Sequence, residues 1–368
     1  MGVPEASGAR SDGGRDVGGV ANVIGLGLIG GSVALALTAR GWRVHGEDRD
    51  PTRLDQAVRK GAIAARGVAP DAVITFVATP VSSIADAAKM ALSATRGVVT
   101  DVGSVKGPVT AAVPDPRFCG GHPMAGSELD GLDGADAALF EGAVWVLTPA
   151  ADTTDETFAA VARVVADLGA EVVALPAERH DALVAVVSHV PHLTAAALMT
   201  VADQRGEEHA ALLRLAAGGF RDMTRIAAGQ PEIWLDICAE NRTAIVEALD
   251  ALLDRLGGLR RSVAGDDRDG LLAELTRARV ARVNLPARAG APAEMAEVRT
   301  AIPDRPGAAA EVFTLAAELG VNVFDFEVFH SAEGRHGVLI LVVEAAQTDL
   351  FRGGLIARGF RPSVRRLD

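Results

Sequence analysis

Val20-Ala21-Asn22-Val23-Ile24-Gly25-Leu26-Gly27-Leu28-Ile29-Gly30-Gly31-Ser32 decides the fold of the first half of the chain. Val20–Ile24 is a short run of β-type residues, and Ser32–Arg40 reads as a helix stopped by Gly41. Between them the glycines stand as G-x-G-x-x-G, with Leu26, Leu28 and Ile29 filling the gaps. Strand, glycine loop and helix in this order form the dinucleotide-binding fingerprint of a doubly wound α/β sheet. Gly25 permits the tight turn, Gly27 lets a pyrophosphate approach the backbone, and Gly30 lets the helix pack close to the strand. The helix N-terminus then offers free N–H groups to the phosphates.

The chain after this loop keeps the alternation. A second strand, Arg43–Gly46, leads to Asp48, 18 residues past Gly30. A carboxylate there is placed to hold the ribose hydroxyls and would repel a 2′-phosphate, which points to NAD. Arg49 and Arg53 keep NADP as the less favoured cofactor. Ala57–Gly61 closes a second helix, and Ala72–Ala78 is a continuous apolar run ending in Thr79-Pro80, which are expected to border the cofactor. Such a run suits a strand covered on both faces. Val98–Asp101 delivers Asp101-Val102-Gly103-Ser104-Val105-Lys106, and Phe118–Gly121 delivers Gly120-Gly121-His122-Pro123-Met124-Ala125-Gly126-Ser127-Glu128. Val144–Thr148, a helical Thr157–Leu168 and Glu171–Leu175 complete a domain over residues 19–176. Ser104 and His122 are both expected in loops after strands, where open α/β sheets bind their ligands. Taken alone, the histidine stretch fits an ordinary turn equally well; the preceding sheet shifts the balance.

After Pro176 strands give way to Ala- and Leu-rich helical periodicity over 178–203, 207–216, 231–257 and 267–282, an all-α domain placed at 177–285. Its first helix holds His180, Ser188, His189, Pro191 and His192. His189 and His192 share a helix face at a spacing of three, and Pro191 is expected to kink the helix or start a new one. Gly218-Gly219-Phe220-Arg221-Asp222-Met223-Thr224-Arg225 reads as a loop that presents a guanidinium to an anion, although a surface pair with Asp222 fits the local sequence too. Trp234 and Ile237 have the spacing of packed core residues. Residues 286–295 form a Pro/Gly/Ala linker, and 296–368 read as β-α-β-β-α-β, the ferredoxin-like order, with a turn at Glu333–Gly337.

Composition narrows the class. Of 368 residues, 49% are hydrophobic and 23% charged, as in globular chains, and the net charge of −12 argues against a nucleic-acid binder. No stretch approaches eighteen uninterrupted apolar residues, so no membrane span is expected. Residues 1–18 read as a disordered tail, not a secretory signal. Cys119 and Cys238 suggest neither a disulfide framework nor a metal site. A cytoplasmic enzyme is expected.

Gly25–Ser32, Asp101–Lys106, Gly120–Glu128, Ser188-His189-Val190-Pro191-His192 and Gly218–Ala227 with Trp234 resemble, in order and spacing, the prephenate/arogenate dehydrogenase family of tyrosine biosynthesis. The C-terminal unit, with Pro303-Asp304-Arg305-Pro306-Gly307 before a helix, resembles an ACT domain, an amino-acid-sensing module that many family members lack. The resemblance implies hydride transfer from prephenate to NAD+ with loss of CO2, giving 4-hydroxyphenylpyruvate. It implies His122 as the group taking the hydroxyl proton, Ser104 as a hydrogen-bonding partner of that histidine or of the hydroxyl, and Arg225 as the carboxylate anchor. It further implies His180, His189, His192, Trp234, Ser127 and Glu128 around the substrate, a homodimer, and tyrosine as feedback inhibitor. Arogenate as substrate, a β-hydroxyacid dehydrogenase and a non-catalytic NAD sensor are the alternatives. The last two leave Ser104, His122 and Arg225 without a purpose.

Overall fold

A computed structural model of the chain describes residues 18–126, 131–206, 218–284, 295–303, 305–330 and 336–367. The expected tail up to residue 17, the helix at 207–216, nearly all of the linker at 286–295 and residues 333–335 of the last turn lie outside the described residues. Residue contacts divide the chain into two compact units, Met1–Leu272 and Ala273–Asp368.

The first unit is built on an eight-stranded sheet of order β3-β2-β1-β4-β5-β6-β7-β8. Its strands are β1 (Val20–Ile24), β2 (Arg43–Glu47), β3 (Ala65–Arg66), β4 (Ile74–Val77), β5 (Val98–Asp101), β6 (Phe118–Pro123), β7 (Val144–Thr148) and β8 (Glu171–Ala174). The first six run parallel, joined by α1 (Leu28–Ala39), α2 (Pro51–Arg59), α3 (Val81–Ala94) and α4 (Gly107–Ala112). β4 is buried along its whole length, including Thr75, whose Oγ1 accepts from Asn22 Nδ2 at 3.1 Å. β7 runs antiparallel to β6, and β8 is parallel to β7 across α5 (Asp155–Asp167). The sheet is therefore mixed. The β6–β7 connection carries, among the described residues, only the helical turn Gly131–Asp133, and without a crossover helix the chain returns in the opposite direction.

Two local expectations change. α1 begins at Leu28, not Ser32, because Gly27 closes the first turn by accepting from Gly31 N at 2.8 Å. Gly30 is tolerated inside the helix because a Cβ there would lie 1.9 Å from the Gly25 carbonyl oxygen. His122 lies within β6 and not in a loop beyond it, since the ladder to β7 continues through the His122–Val146 and Pro123–Trp145 pairs.

A helical layer completes the unit: α6 (Ala177–Val184), α7 (Val190–Gly206), α8 (Gly218–Thr224), α9 (Pro231–Glu240) and α10 (Arg242–Ala264), while α11 (Arg268–Val283) runs across the boundary at Leu272. α6 and α7 are joined by a π-helical turn, Ala185–His189. Pro191 has no N–H to return to Val187 and its ring crowds that carbonyl; the widened turn absorbs the mismatch, and the helix continues without ending. The helix over Ala177–Gln204 is long and apolar enough, by length and composition, to cross a bilayer. Its residues His180, Asp181, His189 and His192 are buried in the protein, which suits a packed helix. The predicted 231–257 helix is two helices, broken at Asn241. Val105 of the β5–α4 loop packs with Ala185, Ile237 and Ile245, so the helical layer closes over the carboxyl end of β5.

The second unit is a four-stranded antiparallel sheet of order β10-β11-β9-β12. Its elements are β9 (Met295–Pro303), α12 (Ala308–Glu318), β10 (Val323–His330), β11 (His336–Glu344), α13 (Thr348–Ala357) and β12 (Ser363–Leu367), the β-α-β-β-α-β order read from the sequence. Alternate β9 residues Val298 and Ile302 face a core with Val312, Leu339, Leu341, Phe351 and Leu355.

Candidate active site

Parallel pairing brings Gly25, Thr79 and Ser104 just past the carboxyl ends of β1, β4 and β5, and His122 to the same end of β6. They share one edge of the sheet. Gly25 takes φ of +94°, and a Cβ there would meet the Ala78 carbonyl oxygen at 2.5 Å. Gly27, by contrast, has nothing among the described residues within 4 Å of a Cβ position. The N-terminus of α1 begins there without a side-chain cap, so its N–H groups stay available. Asp48 reaches back to the loop, Oδ2 accepting from Leu26 N at 2.7 Å and Oδ1 from Asp50 N at 2.8 Å. Thr79 Oγ1 is buried without a hydrogen-bond partner among the described residues. An open glycine, an uncapped helix end, a fixed carboxylate and an orphaned hydroxyl fit a dinucleotide. Pro80 immediately precedes α3 and is exposed, as is Arg49.

His122 is embedded in a polar cluster that the sequence alone did not assemble. Its Nδ1 lies 2.9 Å from His180 Nε2, and His180 Nδ1 lies 2.8 Å from Asp181 Oδ1. Asp181 also accepts from Lys106 N at 2.8 Å and Gly107 N at 2.7 Å. Burial alone would raise its carboxyl, but the bonds from His180, Gly107 and Lys106 hold the pKa below the usual range. Behind His122, the Lys106 ammonium pairs with Asp101 and donates to the Gly121 carbonyl at 2.8 Å. Asp101 accepts from Gly121 N at 3.1 Å, and a Cβ on Gly121 would lie 2.7 Å from the Asp101 carbonyl oxygen. That glycine lets β5 and β6 close on the ion pair. Burial, then the neighbouring His180, Lys106 and His189, push the His122 pKa well below 6.5, so the imidazole is neutral at physiological pH.

Three further side chains converge from the helical layer. Asn241 Nδ2 donates to the Asp181 carbonyl at 2.9 Å and lies 3.2 Å from His189 Nδ1. His189 Nε2 is buried without a partner among the described residues, and burial pushes its pKa to about 4. Burial lowers His192 as well. Arg225 opens the tight turn Arg225–Ala228 and is exposed; Gly229 at the end of that turn sits beside the His192 ring.

Ser104 is half-buried and makes no hydrogen bond to His122; His180 occupies Nδ1 instead. His180 has both ring nitrogens engaged inside the protein, which leaves neither for a substrate. Ser127 and Glu128 lie outside the described residues. Sequence reasoning missed Asp181, Asn241 and the Lys106–Asp101 pair. The adjacency of His180 and Asp181 was the available signal for the first.

Comparison with known proteins follows the same division of the chain. Residues 33–174 match the family model for the nucleotide-binding domain of prephenate dehydrogenase, and residues 176–277 match that for its dimerization domain. The chain is 32% identical over 332 residues to prephenate dehydrogenase of Bacillus subtilis, covering 86% of this chain and 89% of the relative. Prephenate dehydrogenase from Aquifex aeolicus, solved with hydroxyphenyl propionate and NAD+, superposes with a TM-score of 0.68 at 30% identity, covering 73% of this chain and 98% of that one. Arogenate dehydrogenase from Synechocystis superposes at 0.62 with 31% identity, covering 72% and 98%.

Proposed function

The chain belongs to the prephenate dehydrogenase family, and we propose that it is the NAD-dependent enzyme that converts prephenate to 4-hydroxyphenylpyruvate in tyrosine biosynthesis. The observation that carries this reading is a neutral imidazole, His122, on the same sheet edge as a dinucleotide loop. Prephenate bears a ring hydroxyl, a ring carboxylate and a pyruvyl carboxylate. Bound NAD+ supplies the hydride acceptor. Gly25–Gly30, Asp48, Thr79 and Pro80, with Arg49 at the rim, hold that cofactor.

His122 accepts the hydroxyl proton, and a base that is neutral at the working pH is suited to do so. Ser104, not engaged with the histidine, is assigned to the substrate hydroxyl. Arg225 is assigned to a substrate carboxylate, where its planar fork binds bidentately. His189, His192 and Trp234 line the substrate side, with Ser127 and Glu128 at its mouth. Loss of CO2 then makes the ring aromatic.

A homodimer is part of the proposal. The exposed Leu253, Leu256 and Val263 of α10 and Leu272 of α11 support it, as does the dimerization-domain match. The C-terminal unit is read as an ACT-like domain that senses tyrosine. It has a cleft of about 360 Å³ lined by Ile302, Arg305, Gly307, Ala308 and Val328. The B. subtilis alignment, at 86% of this chain, covers more than residues 1–277 could supply and so extends into this unit. A cytoplasmic location belongs to the same reading.

The test is purified enzyme with NAD or NADP against prephenate and arogenate, following reduced cofactor. Turnover of prephenate with NAD is expected. A strong preference for arogenate would move the assignment to the arogenate branch, and no turnover of either would overturn it.

A further inference from the structure

We propose that His180 and Asp181 are positioning residues of the reaction: they fix His122 as the Nδ1–H tautomer, with Nε2 as the base nitrogen, and they take up the positive charge when His122 accepts a proton. This rests on the reading of His122 as the base.

Asp181 is buried, yet it accepts from the backbone N–H groups of Lys106 and Gly107, and these can only donate. It is therefore an ionised acceptor, and the His180 Nδ1 at 2.8 Å must carry a hydrogen. We assign His180 that one hydrogen only, so its Nε2 presents a lone pair. His122 Nδ1 lies 2.9 Å from it, and two lone pairs do not face each other at that distance. His122 Nδ1 is accordingly the donor, and Nε2 is left with the lone pair. The orientation follows from an element (α6) that the sequence separates from His122 by 58 residues.

The same chain provides a path for charge. As hydride leaves the substrate carbon for NAD+, the hydroxyl O–H bond breaks and a bond to His122 Nε2 forms. The Nδ1–H bond of His122 breaks and a bond to His180 Nε2 forms. His122 ends neutral in its other tautomer, and the imidazolium is His180, facing the Asp181 carboxylate. The groups around His122 favour this transfer. From the β5–α4 segment it faces the Lys106 ammonium, paired with Asp101, and from the π-helical turn the neutral His189. None of these is an unpaired anion that would hold the charge on His122, whereas His180 has one within hydrogen-bond distance. Burial pushes the His122 pKa down, in agreement.

Full-length enzyme labelled with 15N-histidine tests the tautomer without turnover. His122, assigned by its disappearance in His122→Asn, is expected protonated at Nδ1 and bare at Nε2; the opposite tautomer overturns the proposal. Asp181→Asn is expected to weaken that preference. It is also expected to move the acid limb of the kcat/KM profile down by about one to three pH units, because the anion that stabilises the protonated pair is gone. A purely structural role would lower activity and leave the limb in place, and that result counts against the relay. His180→Gln can still accept from His122 through its carbonyl but cannot be protonated. It should keep the tautomer and the KM for NAD while kcat falls about 10²-fold; an unchanged kcat overturns the uptake of charge. If Asp181→Asn fails to fold, the wild-type tautomer and His180→Gln decide. If the wild-type enzyme oxidises neither prephenate nor arogenate, the assignment of function fails, and the NMR result still decides the tautomer.

Discussion

Trp234 lies face to face with His192, with ring centroids 3.6 Å apart and planes 12° from parallel. His189 meets the same indole edge-on at 6.0 Å. One aromatic residue of α9 thus holds two histidines of the α6–α7 helix, and Asn241 at the end of α9 holds His189 from the other side. The pairing depends on burial keeping His192 and His189 neutral, since a neutral ring stacks without giving up hydration of a charge.

Removing the indole should therefore loosen the substrate side and spare the chemistry. Trp234→Ala is expected to raise the KM for prephenate about three- to tenfold, the range of a lost aromatic pair, with kcat changed less. Trp234→Phe should recover most of the loss. Steady-state kinetics at saturating NAD measures both, and a drop confined to kcat would contradict the assignment.

His122→Asn keeps the size and some hydrogen bonding of the side chain but removes the base. NAD affinity should be unchanged by fluorescence titration, and turnover should fall about 10²–10⁴-fold. Near-normal turnover would take His122 out of the mechanism.

Stability should depend on pH through the buried histidines. In the unfolded chain they take up protons near 6.5, whereas folded His189 resists until about 4, and His122 and His192 are lowered too. Between those values the unfolded state binds more protons, so acidification favours unfolding. The stabilisation is complete above pH 6.5 and is lost as the pH falls towards 4. Melting temperatures measured from pH 7.5 to 5 should fall, and His189→Gln, neutral throughout, should show a shallower fall. A flat profile in the wild type would be inconsistent with burial as the cause.

Lys106 and Asp101 form an ion pair with both side chains wholly buried. Lys106→Met leaves a carboxylate without its counter-ion and should cost about 3–5 kcal/mol by denaturant titration. Asp101→Asn added to it should restore part of the loss. Equal midpoints for the single and double variants would show that the unpaired charge is not what destabilises.

Deleting residues 290–368 should leave dehydrogenase activity and abolish inhibition by tyrosine. Inhibition that persists in the truncated enzyme would place tyrosine at the active site instead.

Much of this was legible locally. The glycine loop was readable because each glycine answers a nearby steric demand, such as the 1.9 Å approach at Gly30. The β-α-β-β-α-β tail was readable because its apolar periods alternate cleanly, as the burial of β9 does. His122 was singled out by its neighbours, but its place inside β6 was not, because the pairing that extends the strand comes from β7, more than twenty residues away. Ser104 was expected as a candidate partner for His122, and geometry gave that position to His180.

The sequence by itself determined the dinucleotide loop with Asp48, the order of sheet, helical layer and second unit, and the identity of His122 as the residue to watch. Each rests on short-range chemistry: backbone freedom, hydrophobic period, a carboxylate at a set distance along the chain. Only the tertiary structure decided which nitrogen of His122 faces inward, that Asp181 and Lys106 stand behind it, and that Trp234 stacks on His192. Those contacts join residues of separate elements, and their geometry is fixed by how the helical layer packs on the sheet edge, which no local pattern encodes.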